Sequence, residues 1–347
     1  MGCCSPDKQQ FINNEENQNE FNSEKEIMKN KNINMNIDDN KSNNNNSIIS
    51  PDIETNKYIE ENKEKLGNAL ENNSFISSDK TIHTKKIEDT EYENILEIYP
   101  PLNNEDNDKI EIKKNLILND KAVYYGEYNI EKQIKEGRGI QIWPNGCKYY
   151  GYFQNDKQNL RGKMEHADGD IYEGEWVNDK ANGKGKYTHN GITYEGFWKD
   201  DKQDGYGKET WDDGSYYEGY YNDGKKEGKG KYIWPNGSSY EGDFKDNAFN
   251  GKGKFTWSNE RTYEGDWENN KMKGNGIFTW PDGRKYEGEF LDDKKEGYGI
   301  YYWPDGRTYK GMWKNGVQNG EGEIHNPKTN KTRKGIWKNG KRIKWVD

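Results

Sequence analysis

Arginine is missing from the first 120 residues and tryptophan from the first 142. Cysteine occurs only at Cys3, Cys4 and Cys147, which excludes a disulfide framework. No run of 18 apolar residues occurs, which excludes a membrane-spanning helix, and no apolar core follows Met1 as it would in a secretory signal. The chain is therefore expected to be made in the cytosol and to stay there. Glycine is scarce at the start as well: 37 of the 39 glycines lie after residue 120. Residues 1–120 carry 14 lysines against 25 acidic residues, a net of −11, whereas residues 121–347 carry 39 basic against 37 acidic residues, a net of +2. The second part mixes its signs instead of gathering a basic stripe, which argues against a nucleic-acid partner.

The Asn-, Glu- and Lys-rich first part, exemplified by Asn43-Asn44-Asn45-Asn46, has too little apolar surface to offset the entropy of ordering it. Residues 1–109 are thus expected to form a largely disordered acidic arm. Two patches within it have weak structural patterning. Ile59, Leu66, Ala69 and Leu70 fit a short amphipathic helix interrupted by Gly67, and Glu91–Tyr99 is ambiguous up to Pro100-Pro101.

A unit of about 23 residues recurs from Tyr124 to Trp337. Its Tyr-x-Gly glycine falls at Gly126, Gly151, Gly174, Gly196, Gly219, Gly242, Gly265, Gly288, Gly311 and Gly335. A period held this tightly signals a stacked repeat whose units are not stable alone. Within a unit the alternation has period two: Tyr172, Gly174 and Trp176 share one face, Glu173 and Glu175 the other, and Gly183, Gly185 and Tyr187 continue the pattern. Asn178-Asp179, Asn236-Gly237 and Asp282-Gly283 supply tight turns. Rings from neighbouring strands are expected to lie flat over the glycine backbones. The expected fold is all-β: an elongated single-layer antiparallel sheet of about ten stacked hairpins over residues 110–347. Its ends are degenerate, with residues 110–123 as a half-unit and Arg333 in the place of tyrosine.

At these residues the chain resembles the MORN (membrane occupation and recognition nexus) repeat family. Tyr172-Glu173-Gly174-Glu175-Trp176, Gly183-Lys184-Gly185 and Tyr194-Glu195-Gly196 carry the likeness, which extends over roughly residues 110–347. The resemblance implies a single-layer sheet with an aromatic-lined groove that takes a helix or extended segment of a partner protein. A one-layer sheet has no second layer for its rings, and large exposed apolar surface marks an interaction site. The rings expected to line the groove are Trp211, Trp234, Trp257, Trp280 and Trp303, with Trp176, Trp198, Trp267 and Trp313 from the other strand. The plainer alternative is that these rings pack on one another and on the glycines.

Met1-Gly2-Cys3-Cys4-Ser5-Pro6 is an acylation signal: Gly2 for myristate, Cys3 and Cys4 for palmitate, although Pro6 stands where the usual motif has Ser or Thr. One myristoyl chain binds a membrane marginally, so the paired cysteines supply the second signal. At the other end Lys331, Arg333, Lys334, Lys338, Lys341, Arg342 and Lys344 form a basic cluster. It fits an anionic surface or, the reading slightly preferred, a charge-blunted sheet edge.

No catalytic set emerges. His166 and His189 occupy one position in adjacent units, about 10 Å apart and too far to share a zinc ion. Cys147 has no foreseeable basic partner, and neither a metal nor a cofactor is expected. The sequence is read as a lipid-anchored, non-enzymatic scaffold on the cytoplasmic face of a membrane or at its cortical cytoskeleton, binding a protein through the ribbon. The rivals are a peripheral phospholipid-binding module and a regulatory subunit of a separate enzyme; self-association through the ribbon ends stays open.

Overall fold

The computed structural model describes residues 86–102 and 109–346. The expectations for Gly2, Cys3 and Cys4, and for the helix around Ile59–Leu70, lie outside the described residues. Among the described residues a helix, α1 (Asp89–Ile98), comes first. The strands β1 (Ile110–Ile117), β2 (Val123–Asn129), β3 (Ile134–Ile142), β4 (Lys148–Gln154) and β5 (Lys157–Glu165) follow. Next come β6 (Ile171–Val177), β7 (Lys180–His189), β8 (Ile192–Lys199), β9 (Lys202–Thr210) and β10 (Tyr216–Asn222). The middle holds β11 (Lys225–Ile233), β12 (Ser239–Lys245), β13 (Ala248–Thr256), β14 (Thr262–Glu268) and β15 (Lys271–Thr279). The last are β16 (Lys285–Leu291), β17 (Lys294–Tyr302), β18 (Thr308–Lys314), β19 (Val317–Asn326), β20 (Lys331–Lys338) and β21 (Lys341–Trp345).

The 21 strands of the described residues form one open sheet in which each pairs antiparallel with its neighbours in the chain. Two-residue turns such as Asn178-Asp179 (φ 52° and 69°) and Asn269-Asn270 (φ 48° and 64°) join the strands of a hairpin. Both central residues are left-handed, as a type I′ turn requires, and Asn and Asp tolerate that region. The second turn residue also ties successive units together. Asn270 Oδ1 accepts from Phe249 N–H at 2.7 Å, and Asp293 Oδ1 from Met272 N–H at 2.9 Å.

One sheet builds a core by closing over its own aromatic face. Gly174 pairs with Gly185 across β6 and β7, and the Tyr172 ring lies over both. Its hydroxyl reaches forward to donate to Glu175 O at 2.9 Å. The same bond, from tyrosine to the carbonyl three residues on, recurs at Tyr194, Tyr240, Tyr263 and Tyr286. A straight strand would hold residues i and i+4 about 13 Å apart, yet the rings of Tyr172 and Trp176 meet at 5.0 Å. Trp176 then touches Tyr149 of the preceding unit, and its indole N–H donates to Gly162 O at 3.0 Å.

Repetition joins these contacts into an unbroken edge-to-face chain of rings from Tyr124 to Trp337, with centroid separations of 4.9–5.5 Å. Edge-to-face geometry sets the positive rim of one ring against the negative face of the next, worth about 0.5–1.5 kcal/mol per pair beyond burial.

The candidate docking face

The expected aromatic groove is corrected by this packing. Trp176, Trp198, Trp267 and Trp313 belong to the ring chain, and Trp211, Trp234 and Trp280 are also buried, none of the seven more than 9% exposed. Trp257 and Trp303 are half-buried, each with an arginine stacked on it, Arg261 and Arg307. The tyrosine rings lie down over glycine, and Trp176, Trp198, Trp267 and Trp313 pack edge-on against them.

The opposite face is the open one. Its central row follows the strand register as an alternating ladder: Glu173, Lys186, Glu195, Lys208, Glu218, Lys231, Glu241, Lys254 and Glu264 are successive cross-strand partners. Opposite charges set directly across from one another stabilise pairing, each by a few tenths of a kcal/mol when exposed. Across β9–β17 this face forms a groove of about 1490 Å³, floored by glycines, walled by the ladder and bounded by Tyr206 and Tyr220 at one end and Tyr298 at the other. Eight inter-strand steps make it about 38 Å long.

At the start of the sheet the same face is already occupied. Tyr125, Ile140 and Tyr150 are successive partners in the ladder row, where later units alternate Lys with Glu. Helix α1 lies on them, burying Tyr92 and Ile95, with Ile87 and Tyr99 at its two flanks. Tyr92 stacks on Tyr125 at 4.5 Å, and Tyr99 meets Tyr152 edge-on at 5.4 Å. Asn115 exchanges hydrogen bonds with Ile87, and Tyr152 Oη donates to Pro100 O at 2.5 Å. The helix ends there because Pro100 and Pro101 cannot continue it. Its charge matches its seat: Lys114 pairs with Asp89 at 2.9 Å and Lys148 with Glu91 at 3.7 Å. The stretch Glu91–Tyr99, ambiguous in sequence, is thus helical as far as Ile98 and lies across β1–β4.

Two core lysines were not foreseen. Lys226 is buried against Glu209 at 2.8 Å. Lys295 has the same place in β17 but is ringed by Tyr301, Trp313, Trp280 and Tyr286 at 4.7–5.3 Å, and no carboxylate among the described residues pairs with it. Burial first, and the charge of Arg284 second, lower its pKa to about 7. Cys147, whose partner the sequence left unassigned, has its Sγ 3.9 Å from Nδ1 of buried His166. His189 Nδ1 lies 2.5 Å from Asp170 Oδ1, which also serves His189's unit through a 2.6 Å bond from Tyr187 Oη to Oδ2. Among the described residues no cluster of three His, Cys, Asp or Glu side chains is arranged to hold a metal ion.

The basic cluster of Lys331, Arg333, Lys334, Lys338, Lys341, Arg342 and Lys344 falls on β20 and the edge strand β21. Arg333 and Arg342 both stack on Trp345 at 4.1 Å, while Ile343 and Val346 stand exposed. No helix among the described residues is long and apolar enough to cross a membrane.

The MORN repeat profile matches eight segments: residues 134–148, 172–191, 194–216, 217–239, 240–260, 263–283, 286–306 and 309–329. The unit around Gly151 escapes it; there Leu160 stands where the first Gly of Gly-x-Gly is usual. No curated protein matches the chain. Among solved structures, similarity is found to the SAS-4 (dCPAP) TCP domain of Drosophila melanogaster, in complex with a proline-rich motif of Ana2 (dSTIL). The identity is 18% and the TM-score 0.28, covering 44% of this chain and 84% of that one. A point mutant of the TCP10 domain of Danio rerio CPAP gives 14% identity and a TM-score of 0.24 over 60% of this chain and 98% of that one. Likeness at this level does not bear on the fold or partner of this chain.

Proposed function

This chain carries eight MORN repeats, and from that premise we propose that it is a non-enzymatic scaffold whose charged face receives a segment of a partner protein. One observation carries the reading: helix α1 is seated on that face, held by stacked rings and ion pairs, so this surface accepts a helix. The groove over β9–β17 continues the same face and remains uncovered by any described residue. A groove lined by a few apolar side chains among oriented charges suits a polypeptide better than a compact metabolite.

In this reading Gly2, Cys3 and Cys4 carry acyl chains that hold the protein on the cytoplasmic face of a membrane. A second arrangement draws on the far end of the sheet, where the basic residues of β20 and β21 surround exposed Ile343 and Val346 and would contact anionic lipid directly.

Fractionation separates the two. Gly2→Ala and Cys3→Ala/Cys4→Ala forms are expected to become soluble; membrane retention lost only on Lys341→Glu/Arg342→Glu/Lys344→Glu would replace acyl anchoring by the lipid-contact reading. Proximity labelling tests the scaffold itself. The intact protein and a Tyr206→Asp/Tyr220→Asp/Tyr298→Asp form should differ by a defined set of neighbours, and identical sets would sink the groove as the receiving surface.

A further inference from the structure

The exchange of ladder charges for apolar residues that seats α1 occurs a second time in the same row. After Glu264 the cross-strand partners are Ile277, Glu287, Ile300 and Lys310, so two isoleucines stand at positions of ladder lysines. Beside them Tyr298 and Met312 face each other across β17 and β18. Under α1, Tyr125 and Ile140 are 3% and 0% exposed; Tyr298 and Met312 are 52% and 42% exposed. The second patch shares isoleucine and tyrosine with the first, keeps Glu287 between its two isoleucines, and lacks a cover among the described residues.

We propose that the patch on β15–β18 is the seat of a basic amphipathic helix of about three turns belonging to a partner protein. This rests on the scaffold reading above and narrows it to one place and one partner chemistry. The length comes from α1. Its 10 residues extend about 15 Å, matching three inter-strand steps of ~4.8 Å, and β15–β18 present the same three steps. The partner's anchors should repeat Tyr92 and Ile95, at i and i+3 on one helical face, with an aromatic ring just past the helix end in the place of Tyr99.

The sign of charge is opposite. The acidic α1 sits beside Lys114 and Lys148. The second patch keeps Glu264 and Glu287 in its ladder row, with Asp266 and Glu289 in the neighbouring row, while Ile277, Ile300, Asn275 and Tyr298 replace the facing lysines of earlier units. Lys310 is the only basic member of these two rows across β14–β18. Asp266 and Glu287 hold exposed pairs with Lys252 at 2.6 Å and Lys285 at 2.9 Å, which leaves Glu264 and Glu289 as the carboxylates that lysines on the partner would meet.

Two synthetic peptides test the inference by fluorescence anisotropy against the full-length protein. One is residues 86–102; the other carries lysine at Asp89, Glu91, Glu93 and Glu97. The basic peptide is expected to bind, more weakly as salt rises, and the native peptide to bind at least tenfold less. Ile277→Lys/Ile300→Lys restores the ladder found in neighbouring units and should leave the fold intact by circular dichroism while weakening the basic peptide at least tenfold. Phe197→Asp, an exposed position of β8 outside the groove, should change it less than twofold. Equal binding of the two peptides, or unchanged binding to the ladder-restored form, overturns the proposal. If the Tyr206→Asp/Tyr220→Asp form alone loses its labelled neighbours and the Ile277→Lys/Ile300→Lys form keeps them, the location is wrong while the scaffold reading stands.

Discussion

The same substitution should change stability in opposite directions at two equivalent positions. Lys226 and Lys295 are both second residues of an odd-numbered strand, three units apart, and both are buried. Lys226 neutralises Glu209, which also accepts from Tyr221 Oη at 3.0 Å. For Lys295 the place of that glutamate is taken by Phe278, leaving an ammonium held by ring faces alone. Lys226→Met strands a buried carboxylate and should cost about 3–5 kcal/mol, whereas Lys295→Met removes an unpaired buried charge and should stabilise by about 1–4 kcal/mol.

A pH signature follows from the Lys295 pKa of about 7, below the usual 10.5. Between those values the unfolded chain holds the lysine proton and the folded chain does not, so stability rises with pH. From pH 7 to 9 the gain is about 2 kcal/mol at 1.36 kcal/mol per pKa unit, and Lys295→Met should lack it. Above about pH 10 the buried tyrosines, held by burial above their ordinary pKa, reverse the slope because only the unfolded chain ionises them. Hydrogen exchange of amides in β16 and β17 reads the local free energy, which suits a repeat array better than one global midpoint. Shifts of the same sign in both variants, or an unchanged pH slope in Lys295→Met, would refute the reasoning.

Two further expectations concern glycines. A Cβ on Gly185 would lie 2.6 Å from Cε2 and Cζ of Tyr172, so Gly185→Ala should lose about 2–4 kcal/mol through overpacking and the displaced tyrosine bond. Gly214→Ala, where a Cβ meets nothing within 4 Å, should cost only the ~1 kcal/mol of left-handed strain; equal losses in denaturant titrations would contradict the packing argument. Leu160 holds φ 58° where other units have glycine, which costs about 1–2 kcal/mol, partly offset by the greater unfolded freedom of glycine. Leu160→Gly should therefore add about 0.5–1 kcal/mol, and a fall in thermal stability would show that the Leu160 side chain contributes more than its backbone loses.

Period, hairpins, turns and the assignment of residues to two faces were legible because alternation and left-handed turn residues are local properties. Which face stays open was not. Alternation places Tyr172 and Trp176 on one side but carries no sign that the tyrosine lies forward over Gly174, and that tilt is what buries the tryptophans. The proposed docking face had a signal in its departures from the repeat. Tyr125, Ile140 and Tyr150, and later Ile277, Ile300 and Met312, depart from the charged residues of neighbouring units, and departures from a repeat are where a surface has been specialised. Lys226 and Lys295 look alike in sequence, since their difference lies in Glu209 against Phe278, each contributed by a strand of the preceding unit.

Because each strand pairs only with its chain neighbours, and each tyrosine reaches no further than the adjoining unit, nothing at one end of the sheet refers to the other. Excising two consecutive strands from the middle joins a tyrosine strand to its proper successor with both faces preserved; excising one turns every later side chain over. The molecule's length is thus adjustable in steps of 23 residues, and the interval between the seat of α1 and the patch near Ile300 behaves as a ruler with graduations of about 10 Å.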